Sequence, residues 1–199
     1  MKSIIQKALV TVTLVLATAA GAHAQNTATV EYGRTVLAFD PSFTSAIGSL
    51  GATIGGVGFS SVDSNGVIVF PVVSGALDLQ TGRGEVLHLG GISVAANGLQ
   101  LRLQNLVLDT TGSPVLTAVL VVNNKLIGRI PLFDVSVPAS TSLPLQTTVG
   151  VLQINGFGVR FNATGAATLN AVFGNNAIPA GLLVGTMNVY TVISPSASN

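Results

Sequence analysis

The stretch Ile92-Ser93-Val94-Ala95-Ala96-Asn97-Gly98-Leu99-Gln100-Leu101-Arg102-Leu103-Gln104-Asn105-Leu106-Val107-Leu108 decides the fold class. Asn97-Gly98 suits a two-residue hairpin turn, because both central positions of such a turn need a positive φ that Asn and Gly tolerate best. After the turn, Leu99, Leu101 and Leu103 alternate with Gln100, Arg102 and Gln104, the period of a strand with one buried face. Past Asn105 the apolar phase moves to Leu106 and Leu108. A period of two changes parity only through an extra residue or a sharp twist, so a bulge is expected at Gln104-Asn105.

The same grammar extends in both directions. Strands are expected at Thr29 to Phe39, Val67 to Val72, Gly75 to Leu79, Glu85 to Leu89, Val115 to Val122, Leu126 to Val137, Val149 to Ile154, Phe157 to Phe161 and Leu182 to Ile193. Between them lie turn residues: Asp63-Ser64-Asn65-Gly66, Thr81-Gly82-Arg83-Gly84, Asn123-Asn124 and Asn155-Gly156. Pro71 marks an edge or a bulge. The nearly continuous apolar runs on both sides of Asn123-Asn124 suggest strands covered on both faces. Gly51 to Gly58 reads as a flexible connection and Pro138 to Thr148 as a loop.

Two segments break the pattern. Asp40-Pro41 is an N-cap followed by proline, with Phe43, Ile47 and Leu50 at helical spacing before Gly51. Thr164 reads as the cap of a second helix carrying Leu169, Val172 and Phe173 and stopped by Gly174. The reading is an all-β chain, an antiparallel β-sandwich of many short strands with two short helices.

The first residues carry a different signal. Lys2 and Lys7 precede an uncharged run from Ala8 to Ala20, and Ala22-His23-Ala24 supplies small residues for cleavage before Gln25. The run is shorter than the roughly 20 residues that cross a bilayer, so no transmembrane span is expected after cleavage. The expected organisation is a signal peptide at 1–24, one β domain at 25–193 and a frayed tail at 194–199, in a secreted or periplasmic protein. No cysteine is present, which excludes disulfides, thiolate metal sites and cysteine nucleophiles.

Beyond residue 24 six Lys and Arg face seven acids. The six (Arg34, Arg83, Arg102, Lys125, Arg129 and Arg160) are scattered, and phosphate neutralisation needs clustered cations, so nucleic acid is not an expected partner. His88 is the lone histidine of this part. Flanked by Leu87 and Leu89, it reads as facing solvent or a polar rim. No Gly-x-Ser-x-Gly elbow accompanies it. Seven acids and no Trp leave little for a glycosidase, which needs two carboxylates beside a groove. Asp63 to Gly66 is too short in oxygen ligands for a calcium loop. Sparse aromatics argue against the girdles of a membrane barrel. No enzyme is expected, and no metal. Asn162-Ala163-Thr164 matches a glycosylation sequon, meaningful only on a eukaryotic secretory route.

Three stretches in order resemble HtaA-type domains, bacterial exported domains associated with haem uptake: Val69 to Gly75, Gly84 to Gly91, and the leucine strand ending Asn105-Leu106-Val107-Leu108-Asp109. Ser42 to Ile47 resembles the family's early helix, and Ala163 to Phe173 its late one. The resemblance spans most of the chain beyond residue 24. It implies a β-sandwich with short helices near the ligand end. It also implies an iron-ligating tyrosine on the early helix, where this sequence has Ala46, and a supporting histidine in the turn before the leucine strand, where it has Ala95-Ala96-Asn97-Gly98. The expectation is therefore a non-catalytic binding or surface-interaction module for a small ligand or a protein surface, without a resident cofactor. Two alternatives stay open: haem bound through Tyr32, His88 or Tyr190, and a structural or matrix protein that self-associates through sheet edges.

Overall fold

The computed structural model describes residues 27–195. The signal peptide expected at 1–24 and the tail residues 196–199 lie outside them. The described elements are β1 (Thr27–Phe39), α1 (Pro41–Ser49), β2 (Thr53–Val57), β3 (Ser61–Val62), β4 (Val67–Asp78), β5 (Gly84–His88), β6 (Gly91–Ala96), β7 (Leu99–Asp109), β8 (Val115–Val122), β9 (Lys125–Ser136), β10 (Thr147–Thr148), β11 (Val151–Phe161), α2 (Ala163–Phe173) and β12 (Leu183–Pro195).

All pairings are antiparallel. Eight strands run β7-β5-β4-β1-β12-β11-β9-β8, and the pairing of β8 with β7 closes the ring. This is a barrel, and it replaces the two facing sheets of the expected sandwich. Closure has a local cause. The ladders shift register at Val30/Tyr32, Val72/Ser74, Gln104/Val107 and Ile154/Phe157, and each bulge adds twist that lets a long strand curl. The expected bulge at Gln104-Asn105 is among them, with Asn105 at φ 52°. Across it Leu101, Leu103, Leu106 and Leu108 all stay buried.

Close wrapping also needs strands without a side chain at some crossings. A Cβ on Gly33 would lie 2.1 Å from the Tyr190 carbonyl oxygen, and one on Gly91 would lie 1.9 Å from that of Leu103. At Leu89-Gly90 the sheet divides. β5 pairs with one half of β7, while β6 pairs with the other half and carries β2 away from the ring. The stretch expected to be a flexible connection, Gly51 to Gly58, thus holds strand β2.

Asn97 and Gly98 have φ of 51° and 76°, and Asn123 and Asn124 of 46° and 65°, so both hairpins form as expected. Asn155-Gly156 does not turn the chain. Only Gly156 is in the positive region, at 89°, and the two expected strands are one strand, β11, with a bulge there. Val67 to Val72 and Gly75 to Leu79 likewise merge into β4. Leu126 and Ile127, expected to be covered, are exposed at the β8–β9 tip.

Both helices form. The Asp40 carboxylate caps α1 by accepting from the Ser42 N–H at 2.8 Å. The cap of α2 is Asn162, two residues before the expected Thr164, whose N–H it accepts at 2.9 Å. Gly174 ends α2 at φ 65°, as its position predicts. Inside the ring Leu37, Ile68, Phe70, Leu101, Leu120 and Phe133 are fully buried. The interior is packed with apolar side chains, the reverse of the polar lumen of a membrane barrel.

Candidate functional site

The barrel has two differently covered mouths. At one, β1 ends in Phe39, whose N–H donates to Gly66 at 3.1 Å, and the Asp40 N–H donates to Val184 at 2.9 Å. These bonds fix the start of α1. Its Phe43 and Ile47 point inward, and a run of rings follows: Phe39–Phe43 at 5.2 Å, Phe43–Phe161 at 6.0 Å and Phe161–Phe133 at 5.1 Å. Tilted ring contacts of this kind add to what burial contributes at this mouth.

Beside α1 lies an open groove of about 460 Å³ lined by Phe39, Ile47, Ala52, Ile54 and Val62, with the Asp63–Gly66 turn as its rim. The Asp63 carboxylate holds that turn by accepting from Asn65 and Val67 at 2.9 Å each, the ordinary turn that its sequence suggests. Asp63 is the one ionisable residue in the lining. With Thr44 and the turn included, the lining is about as polar as it is apolar, suited to a ligand that sets an apolar body on Ile47, Ile54 and Val62 and a polar edge on the turn.

The residues singled out in the sequence fall in two separate places. Tyr32 and Tyr190 lie on the outer wall, where β1 pairs with β12. Tyr32 is 63% exposed, and the Arg34 guanidinium sits 5.3 Å from the centre of the Tyr190 ring, a cation–π contact. His88 is inside. The expectation that it faces solvent is corrected: it is 3% exposed, opposite Val72 and edge-on to Phe70. Leu89, read as its core-facing neighbour, is exposed instead.

The bonding of His88 fixes its tautomer. The Leu106 carbonyl, 3.3 Å from Nδ1, only accepts, so Nδ1 carries the proton. Nε2 then accepts from the Thr35 hydroxyl at 2.7 Å. Burial without a counter-charge pushes the pKa down to about 4, against a smaller upward pull from the Leu106 bond. His88 is neutral at ordinary pH. Its partner Thr35 and the nearby buried Thr191, which faces Gly33 across β12, were not flagged by the sequence. Threonine is common in strands, and only the ring's register brings these residues to the interior.

Comparison of the folded chain with solved structures gives three informative matches. The C-terminal domain of HtaA from Corynebacterium glutamicum superposes with a TM-score of 0.64 at 15% identity, over 84% of this chain and 99% of that one. The fold is that of the HtaA domains. The haem-binding protein HtaB from the same organism matches at 0.58 and 12% identity, over 84% of this chain and 95% of that one. A domain-swapped dimer variant of the HtaA C-terminal domain matches at 0.54 and 19% identity, over 76% and 90%. No family model and no curated protein matches the sequence.

The HtaA-type fold raises haem, and the side chains answer for the groove beside α1. Haem iron takes an axial His, Cys, Met or Tyr. The groove lining holds none of these, and α1 carries Ala46. Of the remaining donors, both His88 nitrogens are engaged inside the barrel, and Met187 is 1% exposed. The groove does not fit haem held by an iron–protein bond.

Proposed function

We propose that the chain is an exported, non-catalytic binding module that takes a small ligand with one apolar and one polar side in the groove beside α1, without ligating a metal. The observation that carries this reading is the shared fold over most of the chain, combined with a groove of mixed apolar and polar lining at the helix-bearing mouth. Export rests on the sequence signature at 1–24. The non-catalytic role is supported by the isolation of the buried histidine: its partners are the Thr35 hydroxyl and a carbonyl, the carbonyl stands where a triad has its acid, and both Thr35 and His88 are sealed from solvent.

Titration with hemin tests the proposal. The expected result is weak association without a sharp Soret band saturating at one haem per chain. A saturating one-to-one Soret change would overturn it. One specific observation favours a second reading, since Tyr32, Arg34 and Tyr190 share a patch on the outer wall and a tyrosine oxygen is a donor that haem iron accepts. In that reading Tyr32→Phe or Tyr190→Phe abolishes the Soret change.

The alternative of sheets associating edge to edge keeps a limited template. Ring closure removes many edges, leaving among the described strands the short β2, β3 and β10 and the Lys125 to Pro131 half of β9, which pairs with β8 alone. Exchange of an element between two copies, as in the domain-swapped HtaA variant, is a route to self-association that closure does not oppose.

A further inference from the structure

The second mouth of the barrel is covered by a loop. Beyond β9 the chain continues through Val137 and crosses to Gln146, and its Leu145 is buried against the core. The backbone bond that ties this loop to the barrel wall is Leu145 N–H to Leu79 O at 2.6 Å, and the Thr141 N–H bonds within the loop to Pro138 at 2.9 Å. Under it lies a cavity of about 190 Å³ whose walls include Val86, Leu108, Leu152, Phe157 and Val189. The polar members of the lining are Thr81, Thr110 and Thr141, and no charged residue contributes. The Thr110 hydroxyl is already committed to the Gly82 and Gly84 carbonyls at 2.8 and 3.1 Å.

Two features separate this space from a packing defect. Protein interiors rarely leave voids much larger than a water molecule, and an apolar void of about 150 Å³ stays dry and takes up benzene. The lip is also apolar: Val137 and Leu143 line the cavity while remaining 48% and 56% exposed. Exposed apolar side chains at the rim of an apolar chamber give an uncharged molecule a continuous path inward. Lifting the loop at its Leu145 anchor opens that path.

We propose that this loop-covered chamber is a second binding site, independent of the groove beside α1, for an uncharged apolar molecule of one substituted ring. Its volume sets the size at roughly six to ten carbon atoms, scaled from the benzene-binding cavity. The uncharged lining rejects carboxylates and ammonium groups, which would lose their hydration without a partner.

The test is a titration of the protein with toluene and, separately, with benzoate, followed by methyl NMR. Toluene should give saturable shifts at Val86, Leu108, Leu152 and Val189, with NOEs to the Phe157 ring, and benzoate should give none at equal concentration. Val86→Phe, which fills the chamber, should weaken toluene at least tenfold. Should that variant not fold, Leu143→Glu at the exposed lip should weaken it as well. Shifts that do not saturate, that centre on Ile47, Ile54 and Val62, or that survive Val86→Phe and Leu143→Glu unchanged would overturn the proposal. The hemin titration is unaffected by any of these outcomes, so the two sites stand or fall separately.

Discussion

Acidification should weaken the barrel through His88 before it weakens it through Asp40 or Asp109. In the unfolded chain the imidazole ionises near 6.5, and in the barrel near 4. Above pH 6.5 both states are neutral there and the group is silent. As pH falls below 6.5 the unfolded chain takes up a proton that the folded chain refuses, so stability declines until about pH 4 and then levels for this group. Each pH unit of separation is worth 1.36 kcal/mol, which makes the full loss about 3 kcal/mol. That is a sizeable fraction of the roughly 5–15 kcal/mol by which a domain is folded.

Urea unfolding at half-unit steps from pH 8 to pH 4 measures the decline, and the slope at pH 5 should correspond to uptake of about one proton on unfolding. His88→Gln removes the titration and should flatten the curve across that window. Asp40 and Asp109 are held below the usual carboxylate range by the side-chain and then the backbone bonds of Ser42 and Thr111. Their contribution is full above pH 3.8 and is lost only as pH falls through their lower folded values, so it does not overlap the histidine's window. A flat curve between pH 6.5 and 4, or an unchanged slope in His88→Gln, would refute the account.

Other expectations follow from single residues. The Thr191 hydroxyl is buried without a hydrogen-bond partner, so Thr191→Val should raise stability by about 1 kcal/mol in the same urea assay. Gly33→Ala drives a Cβ to 2.1 Å from the Tyr190 carbonyl oxygen and should cost about 2–3 kcal/mol, read as a fall in Tm. Among the described residues no group of three His, Asp or Glu side chains gathers to hold a metal, so EDTA should leave the Tm unchanged.

The parts of the fold that were legible in the sequence are those governed by neighbours along the chain. Asn97-Gly98 and the parity flip at Asn105 each state a local backbone requirement, and so do Asp40-Pro41 and Gly174 at the helix ends; all four were met. Asn155-Gly156 is the same dipeptide as Asn97-Gly98, yet it bulges. The difference lies in β12, which pairs with both halves of β11 on either side of the bulge, from Val151↔Val192 to Arg160↔Leu183. Turning the chain at Asn155 would break one of those halves from its partner. A long partner strand overrides a two-residue signal, and nothing within the dipeptide announces that partner. The same holds for closure, because the β7–β8 ladder that makes a barrel rather than a sandwich is built from residues that would pair as well in an open sheet.

The misreading of His88 shows why the site was harder to see than the fold. In Val86-Leu87-His88-Leu89 two parities compete, and the leucines look like the buried set. The structure buries Val86 and His88 instead. β5 takes its facing from β4, whose own phase is reset at the Val72/Ser74 bulge so that buried Val72 stands opposite His88. One bulge on a neighbouring strand therefore decides whether the histidine is a surface group available to a ligand or a neutral core group bonded to Thr35. Once it is the latter, and Tyr32 and Tyr190 are on the outer wall, the histidine cannot join the two tyrosines at one point. At its mouths the barrel presents a groove of mixed lining shaped by α1 at one end and an apolar chamber under the 137–146 loop at the other, so the proposed binding there rests on burial and shape.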